Sequence, residues 1–198
     1  LPDSGSGVLR ASAKKREARI VIFQHRASLI ACVALALWFS LDHASAQGGG
    51  GQPQLLGQYG EWGAYVGNSG GRKVCFVLSK PVASETNPPN RPRDPIYLFV
   101  STRPAENVRN EVSVVIGYPF RPNSEATMEV GGAKFAMYTQ NDGAWIKNAA
   151  EEQRLVEAMR KGSELIVRGV SARGTQTTDR YSLKGISQAL DRVAQECR

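Results

Sequence analysis

From Gly57 onward the chain is a succession of short runs of β-branched and aromatic residues, each cut off by Gly, Asn, Asp or Pro. A pattern of that kind specifies small strands joined by tight turns. Clear strand runs occupy 73–79 (KVCFVLS), 96–102 (IYLFVST), 111–118 (EVSVVIGY) and 165–170 (LIVRGV), with a weaker one over 59–66. Residues 126–130 and 134–139 flank Gly131-Gly132, a two-residue hairpin signal, and Asn141-Asp142-Gly143 marks the next turn. Residues 173–179 read as a turn leading into a last strand over 180–184.

Two segments carry the helical period. Asn148 with Glu151 three residues on has capping-box spacing, Leu155, Val156 and Met159 make an apolar stripe, and Gly162 is placed to end the helix. Ile186, Leu190 and Val193 repeat the spacing near the C-terminus. The expectation is an all-β dominated β-sandwich with a connecting helix and a short C-terminal helix. Residues 81–95 interrupt it with five of the ten prolines. Proline lacks the ladder N–H, so this stretch is expected to be a long exposed loop with no strand through it.

The N-terminal part is of another kind. Five basic residues from Lys14 to Arg26 precede a 13-residue apolar run, 27–39, and Ala44-Ser45-Ala46 follows as a small-x-small cleavage signature. The run is shorter than the ~17 residues a spanning helix needs, so 1–46 reads as a secretory signal peptide and the mature chain has no membrane span. No Met occurs before Met128, which leaves residues 1–20 open to lying upstream of translation. The Gly-rich stretch 47–56 reads as a linker, and 57–198 as the folded domain. The whole chain has 25 Lys+Arg against 18 Asp+Glu, net +7, but 47–198 keeps 19 against 15. That surplus is ordinary for solubility, and no basic block with interleaved aromatics offers a nucleic-acid surface.

His25 and His43 both precede the domain, which removes His-based triads and His-ligated metal sites from it. No phosphate loop or calcium loop motif occurs. No catalytic residue, metal ligand or cofactor site is therefore assigned. Glu111, Glu125, Asp142 and Asp179 could in principle serve carboxylate catalysis, but nothing in the sequence pairs them. With Cys32 in the leader, the mature chain keeps Cys75 and Cys197. In an oxidising compartment one disulfide is the simplest outcome, with intermolecular pairing and two free thiols as alternatives. Trp62 and Trp145 read as core first and as stacking platforms second. Arg168, Arg173, Arg180 and Lys184 would make a basic patch if their strands pair, partly neutralised by Glu164 and Asp179. In the proline segment, Asn90, Arg91, Arg93 and Asp94 are the candidate contact residues, since long loops on a rigid scaffold carry recognition.

Several stretches agree together with one family: 60–62 (GEW), 73–79, 103–109 (RPAENVR) leading into 111–114, 159–162 (MRKG), 171–179 (SARGTQTTD), 181–185 (YSLKG) and the terminal Cys197. In this order they resemble the invasion-associated locus B family of exported bacterial proteins. The resemblance implies an immunoglobulin-like β-sandwich, a periplasmic or outer-surface location and, for some members, a link to host-cell invasion. Many members resemble W-x-x-x-C after the first Trp, whereas Val66 stands at that spacing here, which leaves Cys75 and Cys197 to pair with each other. The functional expectation is an exported, non-enzymatic envelope protein that binds a protein partner at the envelope or host surface. The alternatives are a periplasmic structural or stress-related protein with no host partner and, last, a carboxylate-based envelope hydrolase.

Overall fold

A computed structural model describes residues 51–198; the expected signal peptide and the first residues of the linker lie outside the described residues. The chain forms β1 (Gln54–Tyr59), β2 (Trp62–Ser69), β3 (Arg72–Ser79), β4 (Ala83–Asn87), β5 (Tyr97–Arg103), β6 (Val108–Val115), β7 (Glu125–Val130), β8 (Ala133–Gln140) and β9 (Gly143–Ile146). Helix α1 (Glu152–Lys161) follows, then β10 (Glu164–Val170), β11 (Gln176–Ser182) and α2 (Ile186–Glu196). Gly131 and Gly132 both take positive φ, 57° and 84°, which lets β7 and β8 join through a two-residue turn pairing Val130 with Ala133.

Four strands differ from expectation. β9 starts at Gly143, read as part of a turn, and runs to Ile146, where no strand was expected. β1 takes up residues 54–56 of the stretch read as linker, and the weak 59–66 run is split by a turn at Gly60 and Glu61. β4 lies inside the proline segment, where 83–87 is free of proline and pairs with β11 alone, as an edge strand. β11 begins at Gln176, within the stretch read as a turn.

All eleven strands belong to one hydrogen-bonded order, β1-β2-β3-β5-β6-β9-β8-β7-β10-β11-β4. Only three residues separate β3 from β4, a reach of at most ~14 Å. Along the sheet the same two strands are eight steps apart, about 38 Å at ~4.8 Å per step. The sheet must therefore bend back on itself until β3 and β4 face each other across the core. The indole Nε1 of Trp62 in β2 donates to the Ser182 carbonyl of β11 at 2.9 Å, a direct bond between the two layers. The sheet-dominated, sandwich-like fold with a connecting and a C-terminal helix is the one expected.

Between the layers lie Trp62, Val77, Leu98, Val114, Met128, Phe135, Met137, Leu165 and Val167, all essentially without exposure. The helices add the predicted stripes: Leu155, Val156 and Met159 from α1, and Ile186, Leu190 and Val193 from α2, are buried, with Ala189 beside them. Asn148 caps as its position suggested. Its Oδ1 accepts the Ala150 N–H at 3.1 Å and starts a 3-10 turn that runs on into α1. Glu151 turns instead to Arg154, at 2.6 Å. Cys75 in β3 and Cys197 just past α2 form a disulfide, with a Cα–Cα distance of 6.0 Å.

Glu152 at the start of α1 accepts the Val112 N–H at 3.2 Å, next to the point where β9 stops accompanying β6. Burial is the main cause that raises its pKa, with the Val112 hydrogen bond opposing. A group that binds its proton more tightly when folded adds stability at low pH and loses that contribution as pH rises through the folded pKa. Glu152→Gln keeps an acceptor for Val112 and removes the titration. We expect its gain in urea midpoint over the parent protein to be larger at pH 7 than at pH 4. A pH-independent difference would show that Glu152 titrates as an ordinary surface acid.

Candidate functional site

The proline segment makes a groove because of where its prolines fall. Pro81 ends the β3 side, and the five proline-free residues of β4 pair with β11 from Ala83↔Arg180 to Asn87↔Gln176. Pro88 and Pro89 stop that pairing, and residues 89–96 return toward β5. Two hydrogen bonds fix the return path: the Arg91 N–H donates to Thr86 Oγ1 at 3.2 Å, and the Asp94 N–H to the Gly117 carbonyl at 3.0 Å. Gly117 has φ +79°, and a Cβ there would stand 2.2 Å from the Asp94 carbonyl oxygen. Only glycine fits both conditions. Between β4 and the return strand lies an open groove of about 830 Å³, lined by Lys80, Ser84, Glu85 and Thr86 on one side and by Pro89, Asn90, Arg91, Asp94 and Ile96 on the other.

The floor is held by a buried ion pair. Arg93 Nη1 and Nη2 donate to the two carboxylate oxygens of Asp179 at 2.7 Å each, and Nη2 and Nε to the Ile116 carbonyl at 2.6 and 3.2 Å. The two side chains are 7% and 0% exposed. The guanidinium lies over the Tyr118 ring, 5.0 Å from its centroid, and the Tyr118 hydroxyl meets Thr177 Oγ1 at 2.6 Å. Burial raises the Tyr118 pKa. Beside them the Tyr181 hydroxyl is buried without a hydrogen-bond partner, and burial together with the Asp179 charge pushes its pKa far up.

All four sequence candidates line this groove, but in different roles. Asn90, Arg91 and Asp94 are exposed at its rim. Arg93 differs from the other three: its side chain is turned inward and its charge is paired with Asp179. Among the described residues, Lys80, Glu85, Arg91 and Asp94 make no ion pair within the chain, which gives the rim free charges of both signs. Asp179, Tyr118, Thr177 and Tyr181 were not read as part of the site. The available signal was the alternation Thr177, Asp179, Tyr181, whose side chains all point inward from β11.

The other candidate chemistry is mostly neutralised. Arg103 takes Glu111 in a two-point ion pair at 3.0 and 2.9 Å, Lys147 pairs with Glu125, and Asp179 holds Arg93. Arg168 and Arg180 of the suspected basic patch are bound to Glu129 and Glu164. Among the described residues no three His, Cys, Asp or Glu side chains are grouped to hold a metal ion, and no helix is long and apolar enough to cross a membrane. Trp62 is in the core as expected, whereas Trp145 sits on the outer face of the sheet beside Tyr138.

No curated protein matches the chain. Among solved structures, the crystal structure of invasion associated protein B from Bartonella henselae is similar, with 19% identity and a TM-score of 0.51. The match covers 72% of this chain and 97% of that one, and at such identity it speaks for the fold. The family model for the invasion associated locus B protein matches residues 66–194. That span runs from β2 into α2, takes in both anchors of the groove, and fills well over half of the chain: the protein belongs to the invasion-associated locus B family.

Proposed function

We propose that this protein is exported to the cell envelope or surface and acts there, without catalysis, by binding a protein partner in the groove of the proline segment. The observation that carries this reading is the groove itself, a rim of free charges and proline rings clamped to the core by the Arg93–Asp179 pair. A clamped surface loses little conformational freedom when it binds, which is what recognition by a loop requires. Free charges of both signs beside exposed backbone suit an extended, polar stretch of polypeptide. A disulfide in the folded domain suits an oxidising compartment, and the leader read from residues 1–46 supplies the route. Family membership, and the invasion-associated name of the Bartonella relative, support a role at the bacterium–host boundary.

The test must leave the anchor alone. Deleting 86–93 removes Arg93 and part of β4 with the rim, so loss of binding would follow from loss of fold. Asn90→Gly, Arg91→Ala and Asp94→Ala together remove exposed side chains only, glycine being used at 90 because Asn90 has φ +58°. In-cell crosslinking with the parent protein should capture a defined partner that the triple variant no longer captures. The melting temperature should stay within about 2 °C, since exposed substitutions cost little. Undiminished capture by the triple variant would remove the groove from the mechanism.

A further inference from the structure

The strand order has two ends, β1 and β4. β1 is bulged between Leu55 and Gly57, a distortion that turns an edge away from further pairing. β4 keeps an unbroken register with β11 over five residues, from Ala83↔Arg180 to Asn87↔Gln176. In an antiparallel ladder, pairs that exchange hydrogen bonds alternate with pairs that do not. The Arg180 carbonyl points toward β4, since it accepts the Val82 N–H at 2.8 Å. At the other end the Thr175 N–H is taken by Ser171 Oγ at 3.1 Å, so it does not reach across to Pro88, as a non-bonded Asn87–Gln176 pair would require. Both ends agree: Ala83, Glu85 and Asn87 turn their main chain to β11. Ser84 and Thr86 turn theirs to the open edge, where among the described residues no strand meets them.

The protein's own chain does not close this edge. The return path that forms the far wall of the groove carries Pro89, Pro92 and Pro95, which have no N–H to give. Its Arg91 N–H goes to the Thr86 side chain and its Asp94 N–H to Gly117. A slot is left between an unpaired strand edge and a wall that cannot act as a strand. A second copy of the chain is a poor occupant. The antiparallel register that uses both Ser84 and Thr86 would set Glu85 directly against its equivalent, and like charges so placed repel.

We propose that the groove takes its partner by strand addition: an extended segment of the partner lies antiparallel to β4 and exchanges main-chain hydrogen bonds with Ser84 and Thr86. This rests on the reading of the groove as a protein-binding site and adds how the partner is held. Main-chain bonds of this kind supply the attachment, and alternate side chains supply the selectivity. The charges of the groove define those side chains. The residue opposite Glu85 is basic, and acidic residues stand toward Lys80 at one end and Arg91 at the other. Proline is excluded at the two positions that bond Ser84 and Thr86. Five residues of β4 span about 17 Å at ~3.4 Å per residue, so the segment recognised is short.

The probe is the hexapeptide Glu-Thr-Lys-Val-Thr-Glu, labelled with fluorescein at its N-terminus and amidated, followed by anisotropy against the whole protein. Its second and fourth residues are set to meet Thr86 and Ser84, and its lysine to meet Glu85. Saturable binding is expected. N-methylation of the second or fourth residue should weaken it roughly tenfold or more, while N-methylation of the third or fifth leaves it within about twofold. Ser84→Pro removes one outward N–H and leaves the ladder to β11 intact, so it should weaken binding by a similar factor in a folded protein. Circular dichroism checks folding; if Ser84→Pro unfolds, the methylation series on the parent protein decides. Absence of saturable binding at millimolar peptide overturns the proposal, as does a methylation series without alternation or a folded Ser84→Pro that binds like the parent. Dimerisation that Ser84→Pro abolishes also overturns it, giving the edge to a second copy. In-cell crosslinking separates the two readings. Capture lost in the triple rim variant but kept in folded Ser84→Pro overturns strand addition and leaves the groove its partner, whereas undiminished capture by the triple variant overturns both.

Discussion

Arg93→Ala loses about 3–5 kcal/mol of folding stability, the cost of stranding a buried charge. Asp179 has no exposure and takes both its donors from Arg93, so removing the guanidinium leaves a carboxylate with neither water nor counter-ion. The Ile116 carbonyl loses its partner in the same step. For a domain of this size the loss corresponds to a fall in melting temperature of roughly 10 °C or more. The paired replacement Arg93→Met with Asp179→Leu should recover most of it, because exchanging both ions for apolar groups avoids the stranded charge. Urea melts of the three proteins measure this directly. Limited proteolysis adds the local readout: cleavage within 81–95 should become fast in Arg93→Ala and stay slow in the double variant. A single-variant loss below about 1 kcal/mol would place the pair among surface ion pairs and leave the groove without its clamp.

The second large effect is at Cys75–Cys197. The bridge joins residues 122 positions apart, and on the chain-entropy scale a loop of that length is worth about 5 kcal/mol. Cys75→Ala with Cys197→Ala should lower the urea midpoint accordingly, and reduction of the parent protein should reproduce the shift. The loss should also be uneven. α2 docks through Ile186, Ala189, Leu190 and Val193 and is tied down at its far end by the bridge, helped by Lys73 hydrogen-bonding Glu196 at 2.9 Å. Amide exchange should speed up first over 186–196, while the β7–β8 hairpin keeps its protection. Equal loss of protection everywhere would mean that the bridge acts on the unfolded chain alone.

Hydrophobic period carried most of the fold in the sequence, and its failures at β11 and β4 share one cause. The strands with apolar residues at every second position, such as β3, β5 and β10, were legible because burial and hydrophobicity coincide there. In β11 they do not: Thr177 and Asp179 occupy inward positions usually filled by Val or Ile, and so 176–179 looked like a turn. Those residues are tolerable inside only because Tyr118 and Arg93 arrive from elsewhere in the chain to satisfy them. β4 was hidden likewise, since Ala-Ser-Glu-Thr-Asn has no strand pattern and pairs only because β11 presents an open edge. The position of the groove was legible from its prolines. Its construction was not, because the residue that looked most like a contact, Arg93, has its partner 86 positions away.

That long reach bears on when the groove comes into being. Among the described residues β4 has no strand neighbour except β11, and Arg93 has no counter-ion except Asp179, also on β11. A chain delivered N-terminus first presents the proline segment early and completes it only once the last strand has arrived. Until then the rim lacks its β11 edge and the Asp179 counter-ion, and only the hydrogen bonds to Thr86, Ile116 and Gly117 hold it. Completion of the groove is thereby made contingent on completion of the domain: a chain truncated before β11 shows no finished groove, so an intact groove reports that the last strand has docked.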